Sequence, residues 1–338
     1  MTTSNIGIRA ALGRLSLTAV SAAAILAAGV VEAQTITMAT ILNQNDVSVQ
    51  AMEEWNRLLQ KRTAGEMELN ILAGGTLGGT RELIQQLSSG EVDINLSSPV
   101  VLQFAAPDYQ CLEAEYIYES EDHGFAVWRG EIGEQASAAM KESYGIEIAD
   151  VGRRGSRNVT ANVAVEKPSD MQGLKMRVTN DLRAEVFSAY GAQPAPLALS
   201  ELYGALRQGV FDAQENPLST IFSNRFHEVQ DYISLTEHVW TYNIVFVNSD
   251  FYEGLDEEKR QVFDETLSEA MAWLYDAVEA ENAEIRAAIE ESGETTFVEP
   301  DVAAFREAAR PVLEAYAADN CRADLLEDVD AVNVSSTK

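Results

Sequence analysis

The sequence predicts an α/β fold of two similar lobes with a ligand cleft between them. Three observations predict it: a helix-to-strand pattern that occurs twice, strand and helix patterns that alternate along most of the chain, and one unusually long helical pattern near the carboxyl end. In open α/β sheets, ligands bind at the carboxyl ends of the strands. Two lobes of this kind therefore predict a cleft that binds a small molecule.

The repeated pattern is E-L-x-x-x-L-x-x-G-x-x-D, which begins at Glu82 and again at Glu201. In the first copy, Leu83 and Leu87 stand one helical turn apart on one face, and Gly90 follows where a left-handed residue ends a helix. Each copy predicts a helix that leads into a strand, and the pair predicts two related lobes. Chance is the alternative, because leucine, glutamate and glycine are common.

The first lobe shows alternating strand and helix patterns. Alternation of apolar residues predicts strands, and apolar residues every three or four positions predict helices. We expect strands at 35–41, 67–72 and 92–96, helices at 49–59 and in the first repeat, a loop at 105–122, a helix to about 144 and a strand at 146–151. The glycine-rich segment 74–79 predicts a tight strand-to-helix turn, because it matches neither G-x-G-x-x-G nor P-loop spacing.

The second lobe is expected to begin near Arg157. It has a turn at 168–170, a strand at 174–178, a helix at 182–190, the second repeat and a strand at 240–248 that returns to the first lobe. From 257 to about 292, apolar residues near one face predict a helix on the order of 50 Å long, enough to lie across both lobes. We assign 34–155 with about 243–283 to lobe I, and 156–242 with about 284–338 to lobe II.

The first 33 residues predict an export signal. Arg9 and Arg14 precede an apolar stretch at 15–31, and small residues lie before Gln34, where a signal peptidase would cut. A membrane anchor is the alternative, but the stretch is short, rich in alanine and interrupted by serine and glycine. We expect a mature chain that starts at Gln34 and is not embedded in a membrane, because no later segment could span a bilayer.

The chain is strongly acidic, with 54 acidic and 24 basic side chains and a net charge of −30. Loss of the first 33 residues, which contain two arginines and one glutamate, would make the net charge −31. Such a surface repels nucleic acid and anionic lipid, so we expect neither as a partner. A solubilising coat is the simpler explanation of the charge.

Patterns typical of catalysis or metal binding are scarce. The three histidines are widely spaced, and there is no H-E-x-x-H, G-x-S-x-G or P-loop lysine. Glu119, Glu121, Asp122 and His123 form a cluster at the start of a helix, where capping explains them better than metal ligation does. We therefore expect no catalytic residue, no metal and no cofactor.

Two cysteines, Cys111 and Cys321, occur in a chain that we expect to be exported. An oxidising compartment permits a disulfide between them, which would tie the carboxyl-terminal segment to the first lobe. Two buried thiols are the alternative, and the sequence supports both.

Arginines are the more informative charges of this acidic chain. In the strand at 174–178 the apolar residues share one face, so Lys175 and Arg177 share the other, where either can face the cleft or both can be solvated. Arg157 lies where the chain crosses between the lobes, and a hinge ion pair is its simpler explanation. An anion site in this chain needs a local cation, and arginine binds a carboxylate through two parallel hydrogen bonds.

Several motifs together resemble a known family. They are LGGTREL at 77–83, GLKMRV at 173–178, GAQP at 191–194, SELY at 200–203, DAQENP at 212–217 and TEH at 236–238. Their order and spacing resemble the solute-binding subunit of tripartite ATP-independent periplasmic (TRAP) transporters over essentially the whole mature chain. The resemblance implies a periplasmic protein with a two-lobed periplasmic-binding-protein fold, a long helix that braces both lobes, and delivery of the solute to a permease driven by a sodium gradient.

The resemblance also implies roles for three residues. Arg177 matches the arginine that clamps the ligand carboxylate, Arg157 a second arginine near the same group, and Asn216 an asparagine that hydrogen-bonds the ligand. We expect a monomer whose partners are a small carboxylate and the TRAP permease subunits.

Other residues bear on which acid is bound. The hydroxyl groups of Ser97 and Ser98, the amides of Asn95 and Gln214 and a stacking ring at Trp240 suit a polyhydroxylated acid such as a uronate or an aldonate. Sialic acid binders of the family carry an acidic residue where this chain has the two serines, which disfavours sialate. Each of the five also has an explanation as a turn, cap or core residue, and aromatic acids, 2-oxo acids and C4-dicarboxylates stay open.

Two rival functions remain at this point. A secreted enzyme acting on a carboxylated sugar would need an acid and a base in the cleft. Glu215, in the motif DAQENP, is the acidic candidate that we consider, and the resemblance implies that its role is structural. A binding protein that serves an ATP-driven importer is the nearer alternative.

Overall fold

The computed structural model of the protein describes residues 33–334. The predicted export signal at 1–33 lies outside the described residues, apart from its last residue, Ala33. Within 33–334, no helix is long and apolar enough to cross a membrane.

Strands and helices alternate along the described chain, as the sequence predicts. The strands are β1 Gln34–Ala39, β2 Met67–Leu72, β3 Ile94–Ser97, β4 Ile146–Ala161, β5 Lys175–Val178, β6 Gln193–Pro196, β7 Ala213–Pro217, β8 Tyr232–Asn248 and β9 Thr296–Val298. The helices are α1 Val47–Arg62, α2 Thr80–Ser89, α3 Leu102–Ala105, α4 Glu121–Arg129, α5 Glu131–Tyr144, α6 Asp181–Ala189, α7 Leu199–Arg207, α8 Leu218–Ser223, α9 Ser249–Gly254, α10 Glu257–Ser292, α11 Val302–Asn320 and α12 Leu325–Asp330.

The strands form one sheet with two similar halves. Their order is β2-β1-β3-β8-β4-β7-β5-β6, with β9 beside β8. The first half, β1 to β3, is parallel within itself, and so is the second half, β5 to β7. The long strands β4 and β8 run antiparallel between the halves, from Ile146 opposite Asn248 to Ala161 opposite Tyr232. Two β/α halves joined by crossing strands are the predicted fold class; the predicted lobe limits stay a prediction.

The two copies of the repeat occupy equivalent places in the two halves. Gly90 directly follows α2, and Gly209 lies two residues after the end of α7. Both glycines have left-handed backbone angles, with φ of 75° and 69°. Asp93 and Asp212 each accept a hydrogen bond from a backbone N–H of the neighbouring parallel strand, β1 and β5 respectively. The repeat is therefore a structural unit that joins a helix to two strands in each half.

Helix α10 connects the cores of the two halves and covers the predicted range. Asp256 caps its first turn, where Oδ1 accepts a hydrogen bond of 2.8 Å from the N–H of Lys259. Phe263 and Leu267 are buried in the core of the first half, and Ile285 and Ile289 in that of the second. Each end of the helix therefore buries apolar surface against a different half.

The largest differences from the predicted elements occur in β4, in β8 and in the helix predicted to end near 144. Strand β4 continues ten residues beyond the predicted 146–151, and β8 begins at Tyr232 rather than at 240. Register shifts at 148–150, 153–155 and 157–159 change which face the side chains of β4 occupy, so regular alternation is lost. The helix predicted to end near 144 is two helices, because the chain leaves helical geometry at Gly130, where ψ is −166°.

The structure joins Cys111 and Cys321 in a disulfide, with 6.2 Å between the Cα atoms. The bond closes a sequence separation of 210 residues and ties the end of α11 to the turn Pro107–Glu113. Of the two alternatives that the sequence supports, the structure therefore shows the disulfide and not two buried thiols.

We expect replacement of Cys111 and Cys321 by serine to lower the free energy of unfolding by about 2–5 kcal/mol, because the unfolded chain regains the entropy of an open loop. Thermal unfolding of the double variant beside the wild type, with and without reductant, measures this. Reductant should lower the melting temperature of the wild type alone. Equal melting of wild type and variant without reductant would contradict a stabilising bond.

Candidate functional site

A cavity of about 830 Å³ lies between the two halves of the sheet. The wall from the first half contains the glycine-rich turn, the start of α2 and the residues after β3. The wall from the second half contains the end of β5, the segment before α7 and the end of β7. The cavity thus lies at the carboxyl ends of parallel strands in both halves, where the fold class predicts a ligand.

The repeated helices begin at this cavity. Thr80, the first residue of α2, and Leu199, the first residue of α7, both line it. A helix amino terminus carries unpaired N–H groups and partial positive charge. The repeat therefore places one positive helix end on each wall, which favours an anion in a protein of strongly negative net charge.

Arg177 lies in the wall of the second half and is only 5% exposed. Its Nε and Nη2 donate to the carbonyl oxygen of Leu197 at 2.9 and 2.8 Å. Its Nη1 is buried and has no hydrogen-bond partner among the described residues. Burial lowers the pKa of Arg177 to about 10, so the side chain is charged at neutral pH. Lys175 is exposed and does not line the cavity, so Arg177 is the cleft-facing residue of the two.

Arg157 lines the same cavity and is held by an ion pair. Its Nε donates to Glu215 Oε2, and its Nη2 donates to Glu215 Oε1 at 2.9 Å and to Asn216 Oδ1 at 3.1 Å. The sequence allowed two interpretations of Arg157, an ion pair and a position in the cleft. The structure shows both. The bidentate contact fixes the plane of the guanidinium group.

Glu215 is the centre of a buried charge cluster and does not line the cavity. Besides Arg157, its carboxylate contacts Arg183 Nη1 at 3.6 Å and His238 Nε2 at 3.1 Å. Burial alone would raise the pKa of Glu215, but Arg157 and Arg183 hold it well below its usual range. Burial lowers the pKa of His238. The residue considered as a catalytic acid is thus an ionised structural partner of Arg157.

Asn216 lines the cavity, whereas Gln214 lies behind it. Asn216 Nδ2 donates to Gln214 Oε1 at 2.6 Å, and Gln214 Nε2 donates to Thr160 Oγ1 at 3.0 Å. Gln214 therefore orients the amide of Asn216 from the protein side.

Of the remaining predicted residues, some line the cavity and others do not. Ser97 and Ser98 line the cavity, but Asn95 and Trp240 do not. Asn95 Nδ2 donates to the carbonyl oxygen of Ala39 at 2.9 Å and so joins β3 to β1. Trp240 is half-buried and packs against the main apolar core. The structure thus brings together five of the eight predicted site residues and places the other three outside the lining.

Arg154 is a lining residue that the sequence did not reveal. It is 4% exposed, and its Nη2 donates to Asp46 Oδ2 at 2.9 Å and to Thr220 Oγ1 at 2.7 Å. Its Nη1 donates to Asn243 Oδ1 at 3.0 Å. Asp46 balances the charge of Arg154. Through its contacts with Asp46 and Thr220, Arg154 connects the cavity wall to the amino-terminal cap of α1 and to α8.

Arg81 is a second unpredicted cation of the lining. Its guanidinium carbon lies 4.3 Å from the centre of the Phe104 ring, and it has no salt bridge within 33–334. Arg81 belongs to the motif LGGTREL at 77–83, so the position of this motif before the first repeated helix is the sequence feature that could have identified it.

Comparison with known proteins identifies the family. Residues 38–320 match the family described as bacterial extracellular solute-binding protein, family 7. The solute-binding protein RD1_1052 of Roseobacter denitrificans is 33% identical over 309 residues, covering 90% of this chain and 94% of that protein. The 2,3-diketo-L-gulonate-binding periplasmic protein YiaO of Escherichia coli is 29% identical over 304 residues, covering 89% and 92%.

Solved structures agree with the sequence matches. The TRAP periplasmic solute-binding protein RD1_1052, crystallised with bound L-galactonate, superposes with a TM-score of 0.81 at 30% identity, covering 89% of this chain and 99% of that one. A second TRAP binding protein of Roseobacter denitrificans, with bound β-D-glucuronate, gives 0.82 at 28% identity, covering 89% and 100%. With its two-lobed fold, its cavity and these matches, the chain belongs to bacterial extracellular solute-binding protein family 7, the solute-binding proteins of TRAP transporters.

Proposed function

We propose that this protein captures a sugar acid, a uronate or an aldonate, in the cavity between its halves. The observation that carries the proposal is Arg177, a residue of the cavity lining whose buried Nη1 has no hydrogen-bond partner among the described residues. An unsatisfied buried donor is costly, and a ligand carboxylate would satisfy it with a charge-assisted hydrogen bond. Arg157, held rigid beside Glu215, supplies a second cation for the same group.

The rest of the lining suits a polyhydroxylated molecule. Ser97, Ser98 and Asn216 offer hydroxyl and amide groups, which can exchange hydrogen bonds with sugar hydroxyl groups. Relatives support this choice, since the two Roseobacter proteins hold L-galactonate and β-D-glucuronate and the Escherichia coli relative is a diketogulonate-binding protein. Members of the family are solute-binding proteins of transport systems and are not enzymes.

We infer that the protein works in the periplasm, exported by residues 1–33, and delivers its ligand as a monomer to TRAP permease subunits. The apolar stretch and cleavage pattern of the first residues support export. Binding is proposed to begin at Arg177 in the second half, after which bending of β4 and β8 brings Ser97 and Ser98 from the first half onto the ligand.

A thermal-shift screen of the mature chain tests the proposed ligand class. We expect glucuronate, galactonate or a related sugar acid to raise the melting temperature by several degrees, because a ligand at 1,000 times its dissociation constant adds about 4 kcal/mol of stability. Aromatic acids, 2-oxo acids and C4-dicarboxylates in the same screen are the comparison set. A shift with one of those classes and none with any sugar acid would reassign the ligand.

A further inference from the structure

Ser98 lines the cavity on the side of the first half, and its hydroxyl group is hydrogen-bonded to the buried carboxyl group of Glu113. Ser98 Oγ donates to Glu113 Oε1 across 3.4 Å. The same Oγ accepts a hydrogen bond from the N–H of Val100 at 3.4 Å, as the cap of the short turn Pro99–Val101. The hydroxyl hydrogen and one lone pair are therefore engaged with the protein.

Glu113 is a buried residue outside the cavity lining, and its position is fixed by several contacts. It is 3% exposed and ends the turn that the disulfide anchors at Cys111, two residues earlier. Its backbone carbonyl accepts a hydrogen bond of 3.1 Å from Arg183 Nη2. These anchors keep its carboxyl group behind Ser98.

The arrangement decides what Ser98 presents to a ligand. A serine hydroxyl group has one hydrogen and two lone pairs, so a hydrogen directed at Glu113 leaves a lone pair for the cavity. Burial raises the pKa of Glu113, while Arg183 and Arg157 oppose the rise. This orientation holds when the carboxyl group is ionised and also when its proton is on Oε2, because Oε1 accepts in both cases.

We propose that Ser98 and Glu113 form a specificity pair that accepts a hydrogen bond from a ligand hydroxyl group and rejects a second ligand carboxylate. A hydroxyl group can donate to Ser98, whereas a carboxylate has no hydrogen to give and would face a lone pair backed by another carboxyl group. The inference rests on the proposed function. Within the sugar acids it selects those with a single carboxylate over dicarboxylates of equal length.

Ser97 provides the contrast within the same wall. It lines the cavity beside Ser98, but its hydroxyl group has no hydrogen-bond partner among the described residues. It can therefore turn its hydrogen toward a carboxylate or its lone pair toward a hydroxyl group, and it should not distinguish the two.

Pairs of aldonates and aldarates test the proposal, because each pair differs only in one terminal group. We would measure dissociation constants for gluconate with glucarate and galactonate with galactarate by titration calorimetry. In at least one pair, we expect the wild type to bind the aldonate at least tenfold more tightly than the aldarate. Ser98→Ala and Glu113→Leu should reduce this ratio to threefold or less, the second because the freed hydroxyl hydrogen can turn to the ligand.

Ser97→Ala is the matched control, and it should weaken both acids of a pair alike and leave their ratio unchanged. If Glu113→Leu fails to fold, Ser98→Ala decides alone, since it leaves the buried carboxyl group in place. Equal wild-type affinity for the acids of each pair, or an unchanged ratio in Ser98→Ala, overturns the specificity pair and leaves the proposed function standing. A wild type that binds no sugar acid overturns both.

Discussion

Replacement of Arg177 by alanine is expected to abolish measurable ligand binding and to leave the melting temperature of the ligand-free protein nearly unchanged. The ligand carboxylate would be buried without its closest cation, and truncating one partner of a buried charge pair costs about 2–5 kcal/mol, or roughly 30-fold to more than 1,000-fold in affinity. The free energy of unfolding should change little. The variant loses two hydrogen bonds to Leu197, but it also no longer buries a charged group, and burial of this charge is unfavourable, as the lowered pKa of Arg177 indicates. Calorimetric titration and thermal unfolding of the same sample measure both effects.

Lys175→Ala is the matched control for this experiment. It removes a cation from the same strand, but the Lys175 side chain is exposed and lies outside the cavity lining. We expect wild-type affinity from this variant. Intact binding by Arg177→Ala, or an equal loss in both variants, would rule out Arg177 as the carboxylate clamp.

The fold could be predicted from the sequence where local signals and packing agree. Helix α10 has a capping Asp256, a left-handed Gly293 and an apolar face that is buried along both halves, so its limits follow from pattern alone. Strand β4 has no such agreement, because its register shifts move side chains between faces and hide the alternation. The length of β4 depends on pairing with β8, which is information that no local window contains.

The same contrast explains the site. Regular alternation on a short strand set Lys175 and Arg177 apart from their apolar neighbours, and the resemblance of the motif GLKMRV to the family then singled out Arg177. Arg154 could not, since a register shift between 153 and 155 alters the face on which its side chain lies. Gln214 and Asn216 alternate correctly on β7, yet only Asn216 lines the cavity, whereas Gln214 donates a hydrogen bond to Thr160. Periodicity predicts a face of a strand, and neighbouring side chains decide which residue on that face meets the ligand.

Replacement of Glu215 by glutamine is expected to lower the free energy of unfolding by about 3–5 kcal/mol, the range for breaking a buried ion pair by removing one partner. The amide keeps the shape of the side chain but leaves the Arg157 guanidinium group buried without its bidentate carboxylate. Ligand affinity should fall as well, because Arg157 loses the contact that orients it toward the cavity. Denaturant unfolding at neutral pH gives the stability change, and Glu228→Gln, which breaks an exposed pair with Arg225, should leave stability unchanged within error.

The pH dependence of this loss separates an ion pair from simple packing. The pKa of Glu215 in the folded protein lies well below its value of about 4.3 in an unfolded chain. Its contribution is therefore fully present above that unfolded pKa and is lost as the pH falls through the folded pKa. We expect the stability difference between wild type and Glu215→Gln to be constant from pH 7 to about pH 5 and to shrink as the pH falls below about 4. A difference that stays the same at acidic pH would mean that the glutamine disturbs packing, and that charge on Glu215 does not hold Arg157 in the cavity wall.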